Sequence, residues 1–145
     1  MSKYVELKNN NQKRFDEFSK KYIYWIFAFS DKQFNDKLKE HKLTRDEIIS
    51  IGAGGFIKRE HKKLYLEEMN RLRRSNPFKQ IKDDDVEVKK AFIYELANHE
   101  YCITYNLDYT LDALGTTEEE IKKDVRLKKI LKEAINEYLE NIENF

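Results

Sequence analysis

The chain is poor in several residue types, and each shortage removes a class of explanation. Of its 145 residues only Cys102 is a cysteine, so no disulfide can close within the chain, and a reducing compartment fits best. Only Pro77 is a proline, which leaves long stretches without a helix breaker. Three histidines, His41, His61 and His99, are scattered and come with no cysteine pair, so no cysteine–histidine zinc motif is present. The longest apolar run, Tyr22 to Phe29, is far too short to span a bilayer as a helix, and no apolar signal-peptide core follows the N-terminus. The formal net charge is only +1, too little for a general pull on nucleic acid. These shortages lead us to expect a soluble, cytoplasmic protein, with no membrane contact, no cofactor and no small-molecule substrate.

Charge and aromatic rings are abundant. Charged residues make up 38% of the chain, and nine Tyr, nine Phe and one Trp stand among the apolar ones. Because the two signs nearly cancel, the self-repelling composition of a disordered chain is absent. The length fits one domain over residues 1–145 with one continuous core, residues 1–11 being polar and loosely held. Nineteen rings exceed what many domains of this size bury, so some Tyr side chains are expected on a contact surface.

Periodicity places the elements. Phe15, Phe18 and Tyr22 mark a short amphipathic helix. The following Tyr22–Phe29, aromatic and β-branched, reads as a buried strand, with a helix continuing the preceding segment as the alternative. Ser30 with Gln33 has capping-box spacing and opens a helix to about His41. Thr44 with Glu47 repeats the device and predicts a brief helix through Ile48 and Ile49. The glycines of Ile51-Gly52-Ala53-Gly54-Gly55 then turn the chain into a second short strand, Gly55–Lys58, paired antiparallel with Trp25–Phe29. Helices follow over 60–74, from about Val86 to His99, over 108–114 stopped by Gly115, and from Thr117 onward with a break near Asp124. The expected fold is α+β and predominantly helical, with about six helices and a small two-stranded antiparallel ribbon.

Four stretches invite a chemical reading. The glycine cluster lacks the spacing of a phosphate loop or of a dinucleotide fingerprint, so a structural turn is the better reading. Glu95, His99 and Glu100 have helical metal-ligand spacing, but no second ligand motif accompanies them, and a hydrogen-bonded polar helix end is the plainer account. Cys102, between Tyr101 and Ile103, reads as a small apolar residue rather than a nucleophile. The strongest lead is charge. Residues 57–82 carry +6 and residues 83–145 carry −8. Lys58, Arg59, Lys62, Lys63, Arg71, Arg73, Arg74, Lys79 and Lys82 form the candidate partner- or nucleic-acid-binding set. Against it stands a solvated helix face paired with Glu67 and Glu68.

Phe27-Ala28-Phe29-Ser30 with Gln33-Phe34, the glycine stretch through Lys58, and Tyr94-Glu95-Leu96-Ala97-Asn98-His99-Glu100-Tyr101-Cys102-Ile103-Thr104 followed by Thr110–Gly115 together resemble one pattern. It is that of a family of small uncharacterised proteins of bacteria, their phages and mobile elements. The resemblance covers residues from about 24 to 131. Ala53 departs from the glycine run of that pattern, which points to a need for smallness at this position more than for positive φ. The resemblance carries no catalytic residues. It implies a non-enzymatic interaction protein, in its sharpest form an anti-CRISPR inhibitor that binds a bacterial defence effector or its ribonucleoprotein. The alternative is a nucleic-acid-binding regulator of a phage or mobile element, contacting RNA. The Lys-, Asn-, Ile- and Tyr-rich composition fits a low-GC host or its phage.

Overall fold

The first helix, α1 (Lys3–Tyr22), begins where the sequence led us to expect loose chain. The reason is Tyr4, which is fully buried, so the polar N-terminal turns are anchored by one large ring. The computed structural model describes residues 2–143. Their internal contacts gather into two units, one of Met1–Asn10 with Ser75–Phe145 and one of Asn11–Arg74.

The Asn11–Arg74 unit holds the sheet. Three antiparallel strands, β1 (Tyr24–Trp25), β2 (Ile48–Gly52) and β3 (Gly55–Lys58), lie in the order β1-β3-β2. β1 pairs antiparallel with β3, as the sequence led us to expect, but the paired residues are Tyr24 opposite Phe56 and Trp25 opposite Gly55, at the start of the expected strand. Two features differ from expectation. First, the sheet has a third strand, because the capping box of Thr44 and Glu47 is real but opens a single 3-10 turn (Arg45–Glu47). The β-branched Ile48, Ile49 and Ile51 that follow favour an extended chain, and Ile48 and Ile49 pair with Lys58 and Ile57 of β3 instead of coiling, while Ile51 falls at a register shift between Ser50 and Gly52. Second, Tyr22–Phe29 is neither a full strand nor buried throughout. One more bond, Ile26 N–H to the Gly54 carbonyl at 2.8 Å, extends the ladder, and then β3 has turned away and offers no further partner.

The β2–β3 connection is a hairpin with Gly52 opposite Gly55, so Ala53 and Gly54 are its two central residues. Their φ angles are +52° and +81°. Positive φ at both centres matches the right-handed twist of the flanking strands. Position 53 therefore uses the left-handed region after all, and smallness alone is not its requirement.

One face of this sheet is covered by α2 (Asp31–Glu40). Ile26, Leu38, Leu43 and Ile48 are buried there, with Tyr24, Phe34 and Phe56 packed against them. Ser30 caps α2 by accepting from the Gln33 N–H at 3.2 Å, while Gln33 Oε1 reaches back to the Phe29 N–H at 2.9 Å. A 3-10 turn (Arg59–His61) leads from β3 into α3 (Lys62–Arg74), the last helix of the unit.

The other unit is helical. The short α4 (Pro77–Ile81) opens with Pro77 in its first turn and Asn76 as cap. Asp84 caps α5 (Asp85–Asn98) by accepting from the Val86 and Glu87 N–H groups. After α6 (Tyr101–Thr104), α7 (Asp108–Leu114) stops at Gly115 (φ +78°), and α8 (Glu118–Lys122) is capped by Thr117. A break at Lys123 and Asp124 precedes α9 (Val125–Glu143). The expected caps and stops after residue 80 all fall where composition places them; α6 is the short addition. Phe92, Leu96, Leu111, Leu127, Ala134 and Tyr138 are among the buried residues of this core. The fold is thus α+β and mostly helical, with a small antiparallel sheet.

Candidate interaction surface

The nine basic residues singled out in the sequence separate into three groups. Lys62, Lys63, Arg73 and Arg74 are exposed on α3, with no ion pair to another described residue. Lys58, Arg59 and Arg71 have structural surroundings. Lys58 is half-buried at the end of β3, and Arg59 donates through Nε to the Asp46 carbonyl at 2.7 Å. Arg71 bonds Glu68 at 2.9 Å, and Arg14 of α1 donates to the same carboxylate at 3.1 Å. Hydrogen bonds from Arg71 above all hold the Glu68 carboxyl below its ordinary range, with Arg14 adding to the effect. The expected Glu68 partnership is therefore present, and it removes Arg71 from the free cations. Lys79 and Lys82 belong to the other unit, where the Lys82 carbonyl accepts from Arg126 Nη2 at 2.6 Å.

Sequence reasoning missed a second feature of the Asn11–Arg74 unit. Along Tyr24–Phe29 burial alternates: Ile26 is buried and Tyr24 and Ala28 half-buried, whereas Trp25, Phe27 and Phe29 are 45%, 62% and 100% exposed. The signal was in the W-x-F-x-F spacing, since alternate residues of an extended chain share a face. It was hidden because the intervening Ile26 and Ala28 are also apolar, which makes the run look buried on both sides. Glycine shapes the floor beneath these rings. A Cβ on Gly54 would lie 2.3 Å from Cε1 of Phe27, and one on Gly55 3.0 Å from Cζ3 of Trp25. The Trp25 indole is further fixed by donating from Nε1 to Ser19 Oγ at 2.9 Å.

In the helical unit, Glu95, His99 and their neighbours form a charge cluster. Glu95 is completely buried on α5. Its Oε1 accepts from Lys8 Nζ at 2.8 Å and from Asn98 Nδ2 at 3.0 Å. Its Oε2 has no hydrogen-bond partner among the described residues, and His99 Nε2 stands 3.5 Å away. The Lys8 ammonium also lies over the rings of Tyr4 and Tyr94, at 5.9 and 5.3 Å from their centres. Burial, and then the Glu95 charge, push the Tyr4 phenol far above its ordinary value. This is the hydrogen-bonded polar helix end expected from the sequence, and it joins the start of α1 to α5. Among the described residues no group of three or more His, Cys, Asp or Glu side chains is placed to hold a metal ion. Cys102 is half-buried against the core, and its N–H donates to Tyr138 Oη at 3.3 Å. Burial above all raises the Tyr138 phenol. Among the described residues no helix is long and apolar enough to cross a membrane.

Comparison with curated proteins and with solved structures returned no match. The model of a family of unknown function, DUF7659, matches residues 3–137, and the chain belongs to that family.

Proposed function

We propose that this protein works by stoichiometric binding rather than by turnover, and that its partner is a bacterial defence effector. The sharpest form of the reading is anti-CRISPR: occupation of a guide-loaded nuclease, or interference with its guide RNA. The observation that carries the binding reading is the free basic face of α3, where Lys62, Lys63, Arg73 and Arg74 are exposed while Arg59 and Arg71 are spent on internal partners. Uncompensated cations beside structural ones fit a surface kept for an anionic partner. The class of partner rests on the resemblance to small proteins of phages and mobile elements.

The test is inhibition by the purified chain of guide-loaded CRISPR nucleases from low-GC bacteria. Cleavage should fall to background near a 1:1 ratio for one effector, and a Lys62→Ala/Lys63→Ala/Arg73→Ala/Arg74→Ala variant should need at least about tenfold more protein. Full inhibition by that variant would remove the α3 face from consideration. Unimpaired cleavage across the effectors, with the chain recovered from cells on bulk RNA alone, would replace the inhibitor reading by that of a nucleic-acid-binding regulator.

A further inference from the structure

We infer that Trp25, Phe27 and Phe29 form a stacking surface for single-stranded nucleic acid. The inference goes beyond the partner reading above and uses different residues.

The three rings sit at alternate positions of the segment that begins as β1 and ends in a bend at Phe29, and the intervening Ile26 is packed into the core. Alternate residues of an extended chain are about 6.6–6.8 Å apart, twice the 3.4 Å rise of stacked bases. A strand stretched to that repeat can lay successive bases against successive rings, which is how aromatic-bearing sheets hold unpaired bases. Beside Phe29, a depression of about 360 Å³ lined by Ile26, Phe34 and Phe56 is roomy enough for a planar ring. Asp31 also borders it, and its carboxylate is paired with Arg45 Nη2 at 3.3 Å.

Charge supports the same occupant. The Asn11–Arg74 unit has 16 Lys and Arg against 10 Asp and Glu, a net +6. Exposed Lys20 and Lys21 follow Ser19, the residue that holds the Trp25 indole, and exposed Lys32 stands three residues after Phe29. The rings are therefore flanked in the chain by cations at both ends, as a phosphate backbone crossing them requires.

Backbone chemistry argues against the obvious competitor, an added β-strand from a protein partner. An added strand needs the outward N–H and C=O groups of the edge. Lys37 Nζ already donates to the Phe27 carbonyl, and the Phe29 N–H is taken by Gln33. Side chains thus occupy the Phe27–Phe29 end of the edge while the rings stay open.

Trp25 is the only tryptophan, so its fluorescence reports on this surface alone. The full chain is titrated with 12-nucleotide oligo-dT and oligo-U, and with a duplex of mixed sequence. Both single strands should quench Trp25 saturably and with similar affinity, because ring faces do not read the 2′-hydroxyl, while the duplex should give no quench. Affinity should fall with salt with a log–log slope of about −2, three phosphates at about 0.7 each. Phe29→Ala should weaken binding about tenfold, and since the whole ring is in solvent the fold is untouched. Equal binding of duplex, no quench at about 100 μM oligonucleotide, or an unchanged Phe29→Ala affinity would each overturn the inference. So would quenching that follows protein concentration alone, which would assign the rings to a second copy of the chain. The four-residue α3 variant should keep most of its quenching, so loss of effector inhibition and loss of base stacking are separable.

Discussion

The ring of Phe27 occupies the space where a side chain at position 54 would begin: a Cβ there would stand 2.3, 2.8 and 2.9 Å from three of its carbons. Gly54 also holds φ at +81° as the second central residue of the β2–β3 hairpin. One position thus answers two demands, a left-handed backbone and an empty side-chain site, and only glycine meets both.

Gly54→Ala should therefore destabilise the protein by about 2–3 kcal/mol, combining roughly 1–2 kcal/mol of left-handed backbone with displacement of the Phe27 ring. Gly52→Ala tests the separation of the two terms. Gly52 has φ +92° but nothing within 4 Å of a Cβ, so only the backbone cost of about 1–2 kcal/mol should appear. Ala53→Gly should go the other way and stabilise by about 0.5–1 kcal/mol, since alanine there is already left-handed and exposed. Urea unfolding of the three variants gives the ordering; equal costs at 52 and 54 would remove the Phe27 contribution.

The Glu95 cluster makes a different prediction. Lys8→Met deletes the ammonium that faces Glu95 Oε1 and leaves a fully buried carboxylate with Asn98 and with His99 Nε2 3.5 Å from its Oε2. The cost should be about 1–3 kcal/mol, below that of a wholly buried pair because Lys8 is itself partly in water. Glu95→Gln keeps the shape, removes the charge, and should cost less than Lys8→Met. The double variant should be more stable than Lys8→Met alone, since the stranded charge is gone. Thermal unfolding in all three checks the cycle, and simple additivity would show that the two groups do not couple.

How much of this was legible in the sequence varies with the kind of signal. Local chemistry read well: Ser30, Thr117 and Gly115 sit at helix ends because a side-chain oxygen meets an orphan N–H or a missing Cβ allows a left-handed stop, and that needs no tertiary information. The hairpin failed because Thr44 and Glu47 signalled a helix start correctly while saying nothing of its length, and the turn Ala53-Gly54 lacks the usual Asn or Asp cue. The N-terminal turns were missed because one buried ring, Tyr4, outweighs the polar residues around it. Of the candidate basic set, composition found the residues but not their duties. Arg59 and Arg71 differ from Arg73 and Arg74 only in what they touch, and spacing alone gives no account of that.

Glu68 carries the last prediction, through pH. Its carboxylate accepts from Arg71 at 2.9 Å and from Arg14 at 3.1 Å, so it joins α3 to α1 within the Asn11–Arg74 unit. Its pKa is lowered in the folded protein, Arg71 being the largest cause and burial acting in the opposite direction. A carboxyl with a depressed folded pKa binds protons more readily in the unfolded chain. Its contribution is present above the unfolded value of about 4.5 and is lost as pH falls through the folded one. Glu68→Gln should therefore cost about 1 kcal/mol at pH 7, where both arginines lose their anion, and progressively less below about pH 4.5. Melting temperatures of the two proteins should converge on acidification. A gap that stays constant from pH 7 to pH 3.5 would show that the glutamate acts through packing and not through its charge.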